Sequence, residues 1–290
     1  MGAPTPLKIA CIQFCSGLTA EDNLPRLLDY IDAAANAGAQ WVVTPETSNF
    51  MPADKDQLYA QICTQEEDPC VAAFAHKAKQ KGIWLQAGSF ILKNAAGRAV
   101  NRSLLFAPNG TCVATYDKIH LFDVALAGGE SHRESSHYDG GSRAVLVDCA
   151  FGEASKTTTI RLGLSICYDL RFAGLYRQMA EAGAQIMTVP AAFTVPTGKA
   201  HWQVLLQARA IETASFIVAP AQAGQHPNGR ETYGHSLVID PWGRILAEKK
   251  TGEGVLLAEL DMSQLEKTRQ QIPVLEHGKV FSLELNNDPL

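Results

Sequence analysis

Alternation of apolar and mixed positions opens the chain: Leu7-Lys8-Ile9-Ala10-Cys11-Ile12-Gln13-Phe14 predicts a strand. Leu24, Leu27, Leu28, Ile31 and Ala35 then recur at helical spacing, and Gly38 supplies a helix stop. Trp41-Val42-Val43-Thr44 predicts a short buried strand ended by Pro45. A helix is expected over 69–81, with Val71, Phe74, Ala75 and Ala78 on its inner face and Gly82 behind it. A strand at 83–91 follows. Segments 102–107 and 112–117 flank Pro108-Asn109-Gly110, a strong hairpin signal. Further strands are expected at 144–149 and 158–166. Helix 173–182 leads to strand 185–189, and helix 200–213 to strand 215–221. Strands at 235–240, 244–249 and 254–260 and a helix at 262–272 close the regular part. Residues 1–272 read as one domain and 273–290 as an irregular C-terminal arm.

One pattern occurs twice. Ala37-Gly38-Ala39-Gln40 leads into Trp41-Val42-Val43-Thr44-Pro45-Glu46, and Ala182-Gly183-Ala184-Gln185 into Ile186-Met187-Thr188-Val189-Pro190-Ala191. Each reads as helix, glycine stop, short buried strand and proline, which suggests two similar halves. Early strand–helix alternation with hairpins between points to two mixed sheets packed together, with helices outside. A single doubly wound sheet fits less well, because no glycine-rich phosphate loop follows the first strand.

Composition narrows the class. The 290 residues are 46% hydrophobic and 19% charged, ample for a large core and unlike disordered, collagenous or coiled-coil chains. A net charge of -5 gives no general footprint for nucleic acid. No apolar run approaches the roughly 20 residues of a membrane span. The first residues lack a basic segment followed by an apolar one, so no signal peptide is expected, and Pro6 stands where a myristoylation motif wants Ser or Thr. Seven cysteines, an odd number, suggest free thiols in a reducing, cytoplasmic compartment. They form no CxxC pair and no HExxH occurs, so no zinc site is expected.

Candidate chemistry lies at the strand ends. Cys167 sits where a buried strand gives way to a helix, at the carboxyl edge of a sheet and near turn N–H groups that suit an oxyanion. A thiol titrating near 8.5 needs a base or a cation to become a nucleophile. His120, His201 and His235 are possible bases, though no spacing ties them to Cys167. Glu46 is another, placed directly behind a buried strand and Pro45. Lys118 ends the second hairpin strand beside Ile119, Leu121 and Phe122, where a partly buried ammonium would stabilise a thiolate or oxyanion. Glu134 lies in the polar stretch 128–135. Arg171 and Arg209, near Asp169 and Glu212, read as internal ion-pair partners.

Taken together, Thr44-Pro45-Glu46, Tyr116-Asp117-Lys118-Ile119-His120-Leu121-Phe122-Asp123 and Cys167-Tyr168-Asp169-Leu170-Arg171-Phe172 resemble the nitrilase superfamily of carbon–nitrogen hydrolases, across almost the whole chain. The resemblance implies an α/β fold, a four-layer α-β-β-α sandwich with pseudo-twofold symmetry, usually dimeric through a helical face. It implies Glu46 as general base, Lys118 as oxyanion stabiliser, Cys167 as nucleophile and Glu134 as a second acid, with no cofactor and no metal. Pro190-Ala191-Ala192-Phe193, Gly198-Lys199-Ala200-His201-Trp202 and Tyr233-Gly234-His235-Ser236 look like the branch acting on deaminated glutathione. The ω-amidases, carbamoylases and nitrilases are the alternatives within this chemistry, and a scaffold protein or a redox sensor built on Cys167 the alternative outside it. Lys199 stands where that branch commonly has proline. Expected substrate contacts are Tyr168, Ala191, Phe193, Thr194, Arg133 and Lys199.

Overall fold

The computed structural model describes residues 6–125, 131–152 and 157–285. Part of the polar stretch holding Glu134 (residues 128–130) and the end of the arm (286–290) lie outside the described residues.

The first half runs β1 (Leu7–Gln13), α1 (Ala20–Asn36), β2 (Trp41–Val43), α2 (Lys55–Gln61), α3 (Pro69–Lys81), β3 (Trp84–Lys93), β4 (Ala99–Phe106) and β5 (Cys112–Asp117). A small antiparallel pair follows, β6 (Asp123–Ala125) and β7 (Ser131–Arg133). The second half comprises β8 (Val145–Phe151), β9 (Thr158–Leu164), α4 (Ala173–Glu181), β10 (Ile186–Thr188), α5 (Val195–Thr197), α6 (Gln203–Thr213) and β11 (Phe216–Ala219). It continues with β12 (Ala223–Gln225), β13 (Glu231–Tyr233), β14 (Ser236–Ile239), β15 (Ile245–Lys249), β16 (Gly254–Leu260) and α7 (Ser263–Gln271).

Two six-stranded sheets result, β16-β1-β2-β3-β4-β5 and β15-β14-β11-β10-β9-β8. Each has three parallel strands, β1-β2-β3 or β9-β10-β11, flanked by antiparallel neighbours. The repeated segment is the hinge of each half. Gly38 and Gly183 both adopt positive φ, 88° and 94°, and reverse the chain behind a helix. Gln40 N–H then donates to Lys8 O, and Gln185 N–H to Arg161 O; each glutamine side chain accepts from the same partner's N–H. The sequence echo is thus a structural echo.

Alternation along β1 explains the layers. Ile9 and Cys11 point between the sheets, where they join Trp41, Val43, Leu162, Ile186, Phe216 and Val218. Ala10 and Ile12 point the other way, onto Leu27, Ile31 and Phe74 of α1 and α3. On the far side, Leu164, Met187 and Ile217 pack against Tyr176, Met179 and Leu206 of α4 and α6. Strands buried on both faces read as near-continuous apolar runs, and each fully buried large side chain contributes about 1.5–3 kcal/mol. This is the expected α-β-β-α sandwich.

The element boundaries agree to a few residues, with differences at several places, among them the pair β6–β7, which was not expected. The first helix turn expected at 200 is a π-helical turn at Gly198–Trp202 that hands over to α6. Gly198 is required there: a Cβ would stand 2.2 Å from Tyr233 Cγ. Helix α2, capped by Asp54, and the pair β12–β13 were not expected from the pattern. Behind α7 the arm begins pinned, with Arg177 donating to Val274 O and Leu275 O, then turns outward with Val280, Phe281, Leu283 and Leu285 exposed. Among the described residues no helix is long and apolar enough to cross a membrane.

At Gly88 the two echoed segments touch. A Cβ there would lie 1.8 Å from Thr44 O and 2.5 Å from Pro190 Cβ, so a side chain is excluded where the two strand ends meet. Residues immediately following those strands face one another, and the chemistry collects there.

Candidate active site

A cavity of about 240 Å³ opens at the carboxyl ends of the parallel strands, lined in part by Glu46, Asn101, Lys118, Glu134, Cys167 and Ala192. The first sheet delivers Glu46 behind β2 and Lys118 behind β5. The second delivers Cys167 behind β9 and the backbone of Ala192 behind β10.

Glu46 is 4% exposed, and its carboxylate is fully engaged. Oε1 accepts from Lys118 Nζ at 2.9 Å and Asn101 Nδ2 at 2.8 Å. Oε2 accepts from Ala192 N–H at 2.8 Å. Burial pushes the Glu46 carboxyl up, but the Lys118 ammonium, a hydrogen bond from the Cys167 thiol and the Arg230 charge more than offset it, and the group stays below the usual carboxylate range. Lys118 is buried between two acids, with Nζ 2.8 Å from Glu134 Oε2 as well. Burial works against its charge, yet Glu134 and Glu46 raise it well above the usual lysine value. Cys167 goes the opposite way: burial first, then the neighbouring Glu46 charge, hold the thiol well above its ordinary value, with Lys118 partly countering. The resting site therefore contains an ionised carboxylate, an ammonium and a neutral thiol.

Cys167 has φ 48°, a conformation that costs a non-glycine residue on the order of 1 kcal/mol. Its N–H donates to Pro190 O at 3.0 Å, and it begins the 3-10 turn Cys167–Arg171. Asp169, within that turn, is fully buried. Oδ2 accepts from Tyr116 OH at 2.6 Å and Ile166 N–H at 2.9 Å; Oδ1 accepts from His120 N–H at 3.0 Å and meets His120 Nδ1 at 2.7 Å. One carboxylate thus ties the nucleophile turn to both sides of Lys118. Asp169→Ala should lower unfolding stability by about 3–5 kcal/mol, since it strands several buried donors. Urea denaturation would measure this, and a loss below about 1 kcal/mol would show that the clasp is not structural.

None of the three candidate histidines lines the cavity. His120 is bound to Asp169 and stacks on Phe172 with centroids 3.5 Å apart, His201 meets Arg171 at 3.3 Å, and His235 meets Glu248 at 2.8 Å. Arg209 pairs with Glu212 as expected. Arg171 departs from expectation: it lies over the rings of Tyr168 and Phe193 and lines the cavity. A 3-10 turn directs it away from Asp169, whose oxygens are already occupied.

Among the expected substrate contacts, Tyr168, Phe193, Thr194 and Arg133 line the cavity. Ala191 does not. It is fully buried, donates to Pro220 O and accepts from Gln222 N–H, so Ala192 takes the wall position. Lys199 is exposed on the π-helical turn and stands outside the cavity wall. Asn101, Tyr138 and Arg230 line the cavity without having been singled out from sequence. No cluster able to hold a metal ion occurs among the described residues.

The carbon–nitrogen hydrolase family model matches residues 8–270. A deaminated glutathione amidase from Synechocystis sp. is 40% identical over 285 residues, covering 95% of this chain and 99% of that protein. Among solved structures, Saccharomyces cerevisiae Nit3, a member of branch 10 of the nitrilase superfamily, superposes with a TM-score of 0.81 at 28% identity, over 94% of this chain and 98% of that one. A mutant amidase from Nesterenkonia sp., in which acrylamide has added to the active-site cysteine, gives 0.72 at 25% identity over 92% and 98%. A thiol, a carboxylate and an ammonium meeting at the edges of two symmetric sheets, with this match along nearly the full length, make the chain a member of the carbon–nitrogen hydrolase family.

Proposed function

We propose that this amidase hydrolyses deaminated glutathione, through a thioester on Cys167. The observation that carries the chemistry is the convergence of a neutral, buried thiol with an ionised Glu46 and a protonated Lys118. Glu46 takes the thiol proton as sulfur attacks the amide carbonyl. The developing oxyanion is held by Lys118 and by the Tyr168 N–H, which belongs to the first turn of a 3-10 helix and has no acceptor within it. Collapse expels the amine, which takes its proton from Glu46. Glu46 then deprotonates a water that attacks the thioester, and Cys167 recovers the proton as the carboxylic acid leaves. Glu134 fixes Lys118 through both oxygens and accepts from Phe122 N–H, so its role is to hold the ammonium in place.

The name of the Synechocystis relative supports the substrate, as do the cationic side chains on the cavity wall. We read residues 1–272 as one domain and 273–290 as an arm, in a cytoplasmic homodimer or higher homo-oligomer. The seven unpaired cysteines fit a reducing compartment, and Val204 and Ile211, exposed on α6, fit a contact between copies.

The test is a substrate panel. Deaminated glutathione should give a higher kcat/KM than aliphatic amides by orders of magnitude, and than α-ketoglutaramate by a smaller margin, because the latter shares the keto acid and the scissile carbonyl. A preference for α-ketoglutaramate would make the chain an ω-amidase. Hydrolysis of aliphatic nitriles alone would overturn the branch while leaving Cys167 as nucleophile.

A further inference from the structure

We infer that Arg230 is the specificity-determining residue of this site, and that it binds the carboxylate on the acyl side of the substrate, the part retained on Cys167 as the thioester. The inference rests on the reading of the substrate as an α-keto acid amide.

Arg230 precedes β13 and reaches the cavity from the turn at 226–230. Its Nη2 donates to Ala192 O at 2.6 Å, and the N–H of the same Ala192 donates to Glu46 Oε2 at 2.8 Å. The backbone of a single residue therefore links the guanidinium to the general base and keeps the two within about 9 Å. That span suits a carboxylate a few carbons beyond a carbonyl under attack. Arg230 Nε is buried with no acceptor among the described residues. A buried charged donor left unpaired is destabilising, a cost that a bound anion removes. The Thr47 hydroxyl, also on the cavity wall, is buried without a partner too, at a residue held at φ 52°. With Asn101 Oδ1, which also has no partner among the described residues, the cavity wall carries three uncommitted polar atoms beside Glu46, of which only the Arg230 Nε–H belongs to a cation.

The other arginines are placed for a different task. Arg133 is exposed, and Arg171 is spread over two aromatic rings and engaged with His201. The leaving fragment must depart while the acyl fragment stays. A half-buried guanidinium with a free inner N–H serves the fragment that stays, and the outer cations serve the one that leaves.

The test compares α-ketoglutaryl-cysteinylglycine with butyryl-cysteinylglycine, which differ only on the acyl side, in wild type and Arg230→Gln. The variant should lose about 30- to 100-fold in kcat/KM on the keto acid substrate, chiefly in KM, and stay within about threefold on the butyryl one. Equal losses on both would reduce Arg230 to a structural support for Ala192. An unchanged keto acid substrate would overturn the assignment outright. Binding is read separately from the competitive inhibition of butyramide hydrolysis by α-ketoglutarate. It should be present in wild type and weakened by the same factor in Arg230→Gln, and its absence in wild type would also overturn the inference. Should wild type fail to cleave α-ketoglutaryl-cysteinylglycine yet show that inhibition, the proposed substrate falls and Arg230 stands.

Discussion

Cys167→Ala should reduce amide hydrolysis by about 10⁵-fold or more, while the protein unfolds at an essentially unchanged urea midpoint. Loss of a nucleophile that acts as a unit with its base removes the covalent route entirely, and only binding and oxyanion stabilisation remain. The fold should tolerate the change. The cysteine N–H bond to Pro190 O is backbone, and alanine meets the same φ of 48° that cysteine already accepts. One lost sulfur at a cavity wall costs far less than a core truncation. Steady-state rates with active-site titration decide the matter. Hydrolysis at even one hundredth of the wild-type rate by a folded Cys167→Ala protein would require another nucleophile.

Lys118→Met should lower kcat by about 10²–10³ and change KM little, because an oxyanion contact exists mainly in the transition state. It should also move two titrations in the same direction. Lys118 holds the Glu46 carboxyl down, so its removal raises that group and shifts the acid limb of kcat/KM to higher pH. Lys118 also favours the thiolate, so alkylation of Cys167 should need higher pH in the variant. A wild-type pH profile with undiminished kcat would take the ammonium out of the mechanism. Loss of activity with no movement of either titration would make Lys118 a packing residue for Glu134.

Glu46, Lys118 and Cys167 were legible in the sequence because each breaks a local pattern, whereas Glu134, one acid in a polar stretch, was marked only by the family resemblance. Glu46 follows a buried strand across a proline, and Cys167 ends one. What the sequence hid was pairing. Asn101 is one of three consecutive polar residues in β4, Asn101-Arg102-Ser103, and only the juxtaposition of β4 with the end of β2 singles it out by bringing it to Glu46. Asp169 looked like a partner for Arg171, two positions away, but a 3-10 turn separates them, and the Tyr116 hydroxyl, the His120 N–H and ring, and the turn's own Ile166 N–H claim its oxygens. Arg230 had a readable signal. Asn228-Gly229 is the same turn pair as Asn109-Gly110, and recognising it would have revealed β12–β13 and placed Arg230 at its mouth. Ala192 contributes only its backbone, so no side-chain pattern could mark it. Helix α2 has few apolar positions over seven residues, too short for a periodic signal.

The partition of the site between the sheets has a consequence for how the protein comes into being. The base and the ammonium belong to one half-molecule, the thiol to the other, and they meet only where the two echoed strand ends close on Gly88. A chain with one half formed, or with both formed but apart, holds a cysteine with neither its proton acceptor nor its counter-charge. The arrangement of thiol, carboxylate and ammonium is therefore complete only when the two halves have docked, and neither half carries it alone.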